Sequence, residues 1–119
     1  MKTVLVVDDS FFMRNMLKKI LHEHSYSVIA EAENGLDAIK KYEKYRPDVV
    51  LLDLTMPVLG GFDALKEIKR IDPKANVIIC SSMGTKFNFI EALRLGARDF
   101  VMKPNFDNLP SILERIFHS

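Results

Sequence analysis

Four apolar runs in this sequence each break off at a side chain suited to handling phosphate or a hard metal ion. Val4-Leu5-Val6-Val7 leads into Asp8-Asp9, and Val49-Val50-Leu51-Leu52 into Asp53. Val77-Ile78-Ile79-Cys80 leads into Ser81, and Phe100-Val101-Met102 into Lys103. Neighbouring carboxylates repel one another, and a third beside them worsens this unless a cation sits among them. Mg2+ takes oxygen ligands in octahedral geometry and keeps several waters, so one or two direct carboxylates suffice. A strand-end carboxylate beside such an ion can act as a nucleophile towards phosphorus, giving an acyl phosphate. The remaining work is positioning and charge neutralisation: Lys103 and the metal would share the phosphoryl oxygens, and Ser81 would donate a hydrogen bond.

Each residue alone has a plainer explanation. Asp8-Asp9 could form a turn or cap the next helix, as Ser10 could. Asp53 could simply end a buried strand before the loop containing Pro57, and Lys103 before Pro104 could be a solvated loop lysine. Ser81-Ser82 beside Gly84 suits a tight turn. The combination carries the chemistry, and no single member does.

For these groups to meet, the strands must end along one edge, as they do in a parallel α/β sheet. Short apolar runs do alternate with segments of helical period, the mark of repeated βα units. Strands are expected near 3–7, 27–32, 48–53, 76–81 and 99–102, and the consecutive apolar residues of three of them imply helices on both faces. A first helix over 11–23 carries Met13, Met16, Leu17, Ile20 and Leu21 as a stripe, with Arg14, Lys18 and Lys19 turned away. Asn34-Gly35 opens a second around Leu36, Ile39 and Tyr42, and Gly60-Gly61 a third with Phe62, Leu65 and Ile68 that ends before Pro73. A fourth over 85–95 stops at Gly96, with Ile90 and Leu93 assigned to the core. Phe87 and Phe89, two positions apart, cannot both face inward, so at least one is expected outside as a partner anchor near Met102. The fifth begins near Asp107, tolerates Pro110 in its first turn, and turns Leu109, Ile112, Leu113 and Ile116 inward.

The length of 119 residues suits one domain over 1–119. A composition of 48% hydrophobic and 28% charged residues excludes a disordered chain, and a net charge of +1 gives no reason for bulk nucleic-acid binding. Cys80, the single cysteine, cannot form an internal disulfide and reads as a small core residue. The first apolar run reaches carboxylates too early for a signal peptide, and no run approaches a membrane span. A soluble, cytoplasmic monomer is expected.

The motifs V-L-V-V-D-D-S, D-V-V-L-L-D-L-T-M-P, I-I-C-S-S-M-G and G-A-R-D-F-V-M-K-P, in that order along the whole chain, resemble the response-regulator receiver domain of the stand-alone chemotaxis, CheY-like type. The resemblance implies an α/β fold, a doubly wound five-stranded parallel sheet in the flavodoxin-like order 2-1-3-4-5, for which CheY is a standard example. It implies Asp53 as phosphoacceptor, Asp9 as a direct Mg2+ ligand, Asp8 as a ligand largely through water, and the Thr55 backbone carbonyl as a further ligand. Ser81 becomes the switch hydroxyl, Lys103 the phosphate-pairing lysine, Phe100 the switch aromatic, and the Ser82 N–H a further phosphoryl contact. The side chains of Thr55 and Met83 would tune access of the hydrolytic water. Phe100 stands where the family commonly has tyrosine, Ser82 where alanine is usual, and Gly60 where a polar residue is typical.

On this resemblance a histidine kinase phosphorylates Asp53, and the surface of the fourth helix, fifth strand and fifth helix switches a partner in chemotaxis, such as the flagellar motor switch. The chain would catalyse its own phosphotransfer and autodephosphorylation without being an enzyme for another substrate. Other assignments are the receiver piece of a longer DNA-binding regulator and a Mg2+-dependent phosphatase. The opening Met1 and the segment from Met13 to Lys18 favour the stand-alone form. A phosphatase would carry an acid two residues after its nucleophile, where Thr55 stands. A flavodoxin-like cofactor binder would need a Ser/Thr/Gly-rich loop after the first strand.

Overall fold

Why do such apolar strands leave their ends polar? In the computed structural model, which describes residues 1–118, the answer lies in the order of the elements. They run β1 (Thr3–Val7), α1 (Phe11–Glu23), β2 (Ser27–Ala32), α2 (Gly35–Tyr45), β3 (Val49–Asp53), α3 (Gly61–Ile71), β4 (Val77–Ser81), α4 (Lys86–Arg94), β5 (Asp99–Met102) and α5 (Leu109–His118). All pairings are parallel, in the order β2-β1-β3-β4-β5. The expected doubly wound sheet is therefore present.

The period-2 alternation of strand side chains divides each apolar run between two cores. Val4, Val6, Val49, Leu51, Ile78, Cys80 and Val101 face Leu17 and Leu21 of α1 and Leu109, Ile112 and Leu113 of α5. Leu5, Val7, Val50, Leu52, Val77, Ile79 and Phe100 face α2, α3 and α4. With both faces covered, the inner strands β1, β3 and β4 are buried up to their ends, and polar residues collect there.

Helix starts follow their capping chemistry. Ser10, Asn34 and Thr85 accept hydrogen bonds from the N–H groups of Met13, Asp37 and Asn88. Gly96 follows α4 with φ +99, a conformation open to glycine.

Three expectations need correction. Arg14 is buried rather than turned away, because Glu31 on β2 and the carbonyl of Asp8 receive its guanidinium. Ile90 and Leu93 are not core residues: they are 51% and 43% exposed. Ala92 is the buried residue of α4, and its small side chain lets the helix lie close on the sheet while the larger side chains face out. Leu36 on α2 is also exposed, while the expected Tyr42 is buried together with Ala38. Phe87 and Phe89 both remain exposed, and Phe89 meets Phe100 edge-on at 6.1 Å between centroids.

Candidate functional site

Strand register assembles the site before any side chain is considered. Val7 pairs with Leu52, so Asp8 leaves the sheet beside Asp53. Asp53 pairs with Cys80, which puts Ser81 one step further along the same edge. Ser81 pairs with Met102, and the Lys103 N–H donates to the Ser81 carbonyl at 2.9 Å. Asp8, Asp53, Ser81 and Lys103 thus occupy consecutive places along one edge.

Oxygens of Asp8, Asp9 and Asp53 lie within 4.8 Å of one another. The Lys103 ammonium is shared between Asp8 Oδ2 at 2.8 Å and Asp53 Oδ1 at 3.2 Å. Asp8 is held on every side. Its N–H donates to the Ala32 carbonyl, its carbonyl accepts from Arg14 Nη1, and Oδ1 accepts from the Ser10 N–H. Asp9 is exposed and has no hydrogen-bond or ion-pair partner among the described residues.

Charge and burial oppose each other at the centre of this group. Burial first, and then the charge of Asp8, raise the Asp53 carboxyl above its ordinary value; Lys103 and the Thr55 N–H only partly offset them. Burial alone would lower Lys103, but its hydrogen bond to Asp8 and the charge of Asp53 outweigh this and raise it. One ammonium against three carboxylates leaves the group short of positive charge. An all-oxygen, carboxylate-rich donor set of this spacing fits a hard divalent cation.

The remaining expected residues surround this centre. Ser81 is buried, and its hydroxyl oxygen accepts from the Met83 N–H at 3.0 Å, which leaves its own O–H free to donate elsewhere. Asn88 Nδ2 in turn donates to the Met83 carbonyl. Thr55, Ser82 and Met83 are exposed at the rim. Phe100 is buried in the core on the side of α4. Cys80 is fully enclosed, and burial pushes its thiol up to about 12, which suits a packing residue. Arg14 is the contributor the sequence reading missed; the signal was a basic residue on α1 facing an acidic residue, Glu31, on the adjacent strand.

The family model for the response regulator receiver domain matches residues 4–115. The chemotaxis protein CheY of Thermotoga maritima is 52% identical over 103 residues, covering 87% of this chain and 86% of the relative. A protein-glutamate methylesterase/protein-glutamine glutaminase of Bacillus licheniformis is 48% identical over 105 residues, 86% of this chain but 29% of that protein. Among solved structures, a chain of the CheX-CheY-BeF3-Mg2+ complex from Borrelia burgdorferi superposes with a TM-score of 0.95 at 31% identity, covering 99% of this chain and 90% of that one.

Proposed function

Because the chain belongs to the response regulator receiver domain family, we propose that it works as one receiver domain over 1–119 whose phosphoacceptor is Asp53. The observation that carries this assignment is the Lys103 ammonium bridging Asp8 and Asp53 in a nest of three carboxylates. Asp8, Asp9 and Asp53, with the Thr55 carbonyl, would hold Mg2+. When bound, the ion neutralises the nest and withdraws charge from the phosphoryl oxygens.

An Asp53 oxygen attacks the phosphorus of a phosphohistidine on a partner kinase. The new P–O bond forms as the P–N bond breaks, and the imidazole leaves with the bonding pair. Lys103, already 3.2 Å from the attacking carboxylate, exchanges that carboxylate charge for phosphoryl oxygen. Ser81 turns its free O–H towards the phosphoryl group. Moving its oxygen away withdraws the acceptor of the Met83 N–H, so the β4–α4 loop must rearrange. Phe100, buried beside Phe89, links the change to α4. Thr55 and Met83 at the rim control the water that later hydrolyses the acyl phosphate.

The product is a conformational signal. Its readers would be chemotaxis proteins, the flagellar motor switch among them, met by a cytoplasmic monomer at the α4–β5–α5 surface. No helix among the described residues is long and apolar enough to cross a membrane. The methylesterase relative carries a similar receiver in a longer chain, which keeps the longer-regulator assignment as the second choice. Incubation with acetyl phosphate and Mg2+ should retard the wild-type band on a Phos-tag gel and leave Asp53→Asn unshifted. An unshifted wild-type band under conditions that shift a CheY control would refute the proposal.

A further inference from the structure

Arg14 is a charged residue buried on a helix, with its side chain only 8% exposed. A buried guanidinium is costly unless it is paired, and here each of its three nitrogens has a partner. Nε donates to Glu31 Oε1 at 3.0 Å, Nη2 lies 3.5 Å from Glu33 Oε1, and Nη1 donates to the Asp8 carbonyl at 2.7 Å. The second oxygen of Glu31 takes Lys18 at 3.0 Å, and the Phe11 ring covers the guanidinium at 5.7 Å. Burial alone would raise the Glu31 carboxyl, but its hydrogen bonds to Lys18 and Arg14 outweigh this and lower it, so the strand-side partner stays charged.

The carbonyl that receives Nη1 belongs to the peptide joining Asp8 to Asp9. Because the atoms of a peptide unit lie in one plane, fixing this oxygen fixes the direction in which the Asp9 backbone leaves β1. Asp9 has no side-chain partner to aim it. We infer that Arg14 is a positioning residue for the metal centre, setting the Asp8–Asp9 peptide so that the Asp9 carboxylate is presented towards Asp53. This rests on the proposed Mg2+ site and adds to it a residue that touches neither metal nor phosphoryl group.

Two roles for Arg14 predict opposite signs. As a mere nearby cation it repels Mg2+, so removing its charge would tighten binding. As the residue that sets the peptide plane, its removal must weaken binding. Lysine separates them further, since it keeps the charge but lacks the planar fork that reaches Glu31 and the carbonyl together.

The test is titration calorimetry of Mg2+ into unphosphorylated wild-type, Arg14→Gln and Arg14→Lys proteins, each checked for folding by thermal unfolding in EDTA. Loss of a residue that orients a ligand typically weakens metal binding by about 10-fold or more. We expect both variants to show that loss, with the Mg2+ needed for half-maximal acetyl phosphate labelling rising in proportion and full labelling restored at saturating Mg2+. A purely structural role would lower the melting temperature and leave the Mg2+ affinity of the folded protein unchanged. Tighter binding by Arg14→Gln, or wild-type affinity in either folded variant, would overturn the inference. Should Arg14→Gln fail to fold, Arg14→Lys decides alone. Absence of Mg2+ binding in the wild type would instead defeat the proposed site itself.

Discussion

Replacing Lys103 by methionine keeps most of the side chain's volume and removes the ammonium that Asp8 and Asp53 share. The side chains of the three residues are 10%, 1% and 6% exposed, so the carboxylates would be left with little solvent to compensate. Breaking a buried ion pair from one side costs about 3–5 kcal/mol. Protonation of a carboxyl already raised by burial relieves part of this, which argues for a value of about 3 kcal/mol at pH 7. A chain of this length unfolds with an entropy of about 0.25 kcal/mol/K, so the melting temperature in EDTA should fall by about 12 °C.

The pH dependence has a definite sign. Asp53 is raised in the folded state, so its contribution is full below the ordinary carboxylate value and lost as pH rises through the raised one. Removing Lys103 raises it further, and the gap between variant and wild type should shrink at pH 4.5. Lys103 is itself raised, so its own contribution is complete below the ordinary lysine value and constant across this range. Millimolar Mg2+ should also narrow the gap. Calorimetric melts at pH 7 and 4.5, with and without Mg2+, measure all three effects. Equal melting temperatures in EDTA at pH 7, or a gap that persists unchanged at pH 4.5, would refute the electrostatic account of the nest.

Asp53→Asn removes a carboxylate whose charged form is disfavoured, so the metal-free variant should melt above wild type at pH 7, with the difference closing as the pH falls into the ordinary carboxylate range. Val58 is 75% exposed with φ +69 in the β3–α3 loop, where the Leu59 N–H closes a tight turn onto the Pro57 carbonyl. Asparagine tolerates that conformation far better than a β-branched residue, and Val58→Asn should stabilise by about 1 kcal/mol in a denaturant melt. A Cβ on Gly61 would sit 2.2 Å from the Asp53 carbonyl oxygen, a backbone atom that cannot swing aside. Gly61→Ala should therefore cost about 2–3 kcal/mol and slow acetyl phosphate labelling by displacing Asp53.

The sheet was legible because its inner strands β1, β3 and β4 carry unbroken apolar runs, and a run covered on both faces needs no alternation to be recognised. Ser10, Asn34 and Gly96 likewise announced helix ends by local chemistry. Arg14 was not legible, since its partners lie on another strand and in another turn, and a basic residue on an amphipathic helix ordinarily faces water. The seating of α4 was hidden for a different reason. In α4 the apolar Phe87, Phe89, Ile90, Ala92 and Leu93 are interspersed with Lys86, Asn88, Glu91 and Arg94, so periodicity does not single out the inward face. Tertiary packing chose Ala92. The carboxylates, Ser81 and Lys103 could be aligned from sequence because strand ends share an edge, but the bridging of Asp8 and Asp53 by one ammonium depends on register that only the folded sheet supplies.

That seating gives the molecule uneven compliance. Shifting α1 would strip Leu17 and Leu21 from their packing, whereas α4 has a single methyl group fully enclosed and is tethered at its leading end by the Asn88 amide on the Met83 carbonyl. The Met83 N–H is bonded to Ser81, so a displacement of one hydroxyl reaches the most loosely moored helix through two hydrogen bonds. Any shift of α4 would carry Phe87, Ile90 and Leu93 with it and redraw an oily ridge on the outside of the protein, at the expense inside of little more than the Ala92 methyl and the Phe89–Phe100 contact.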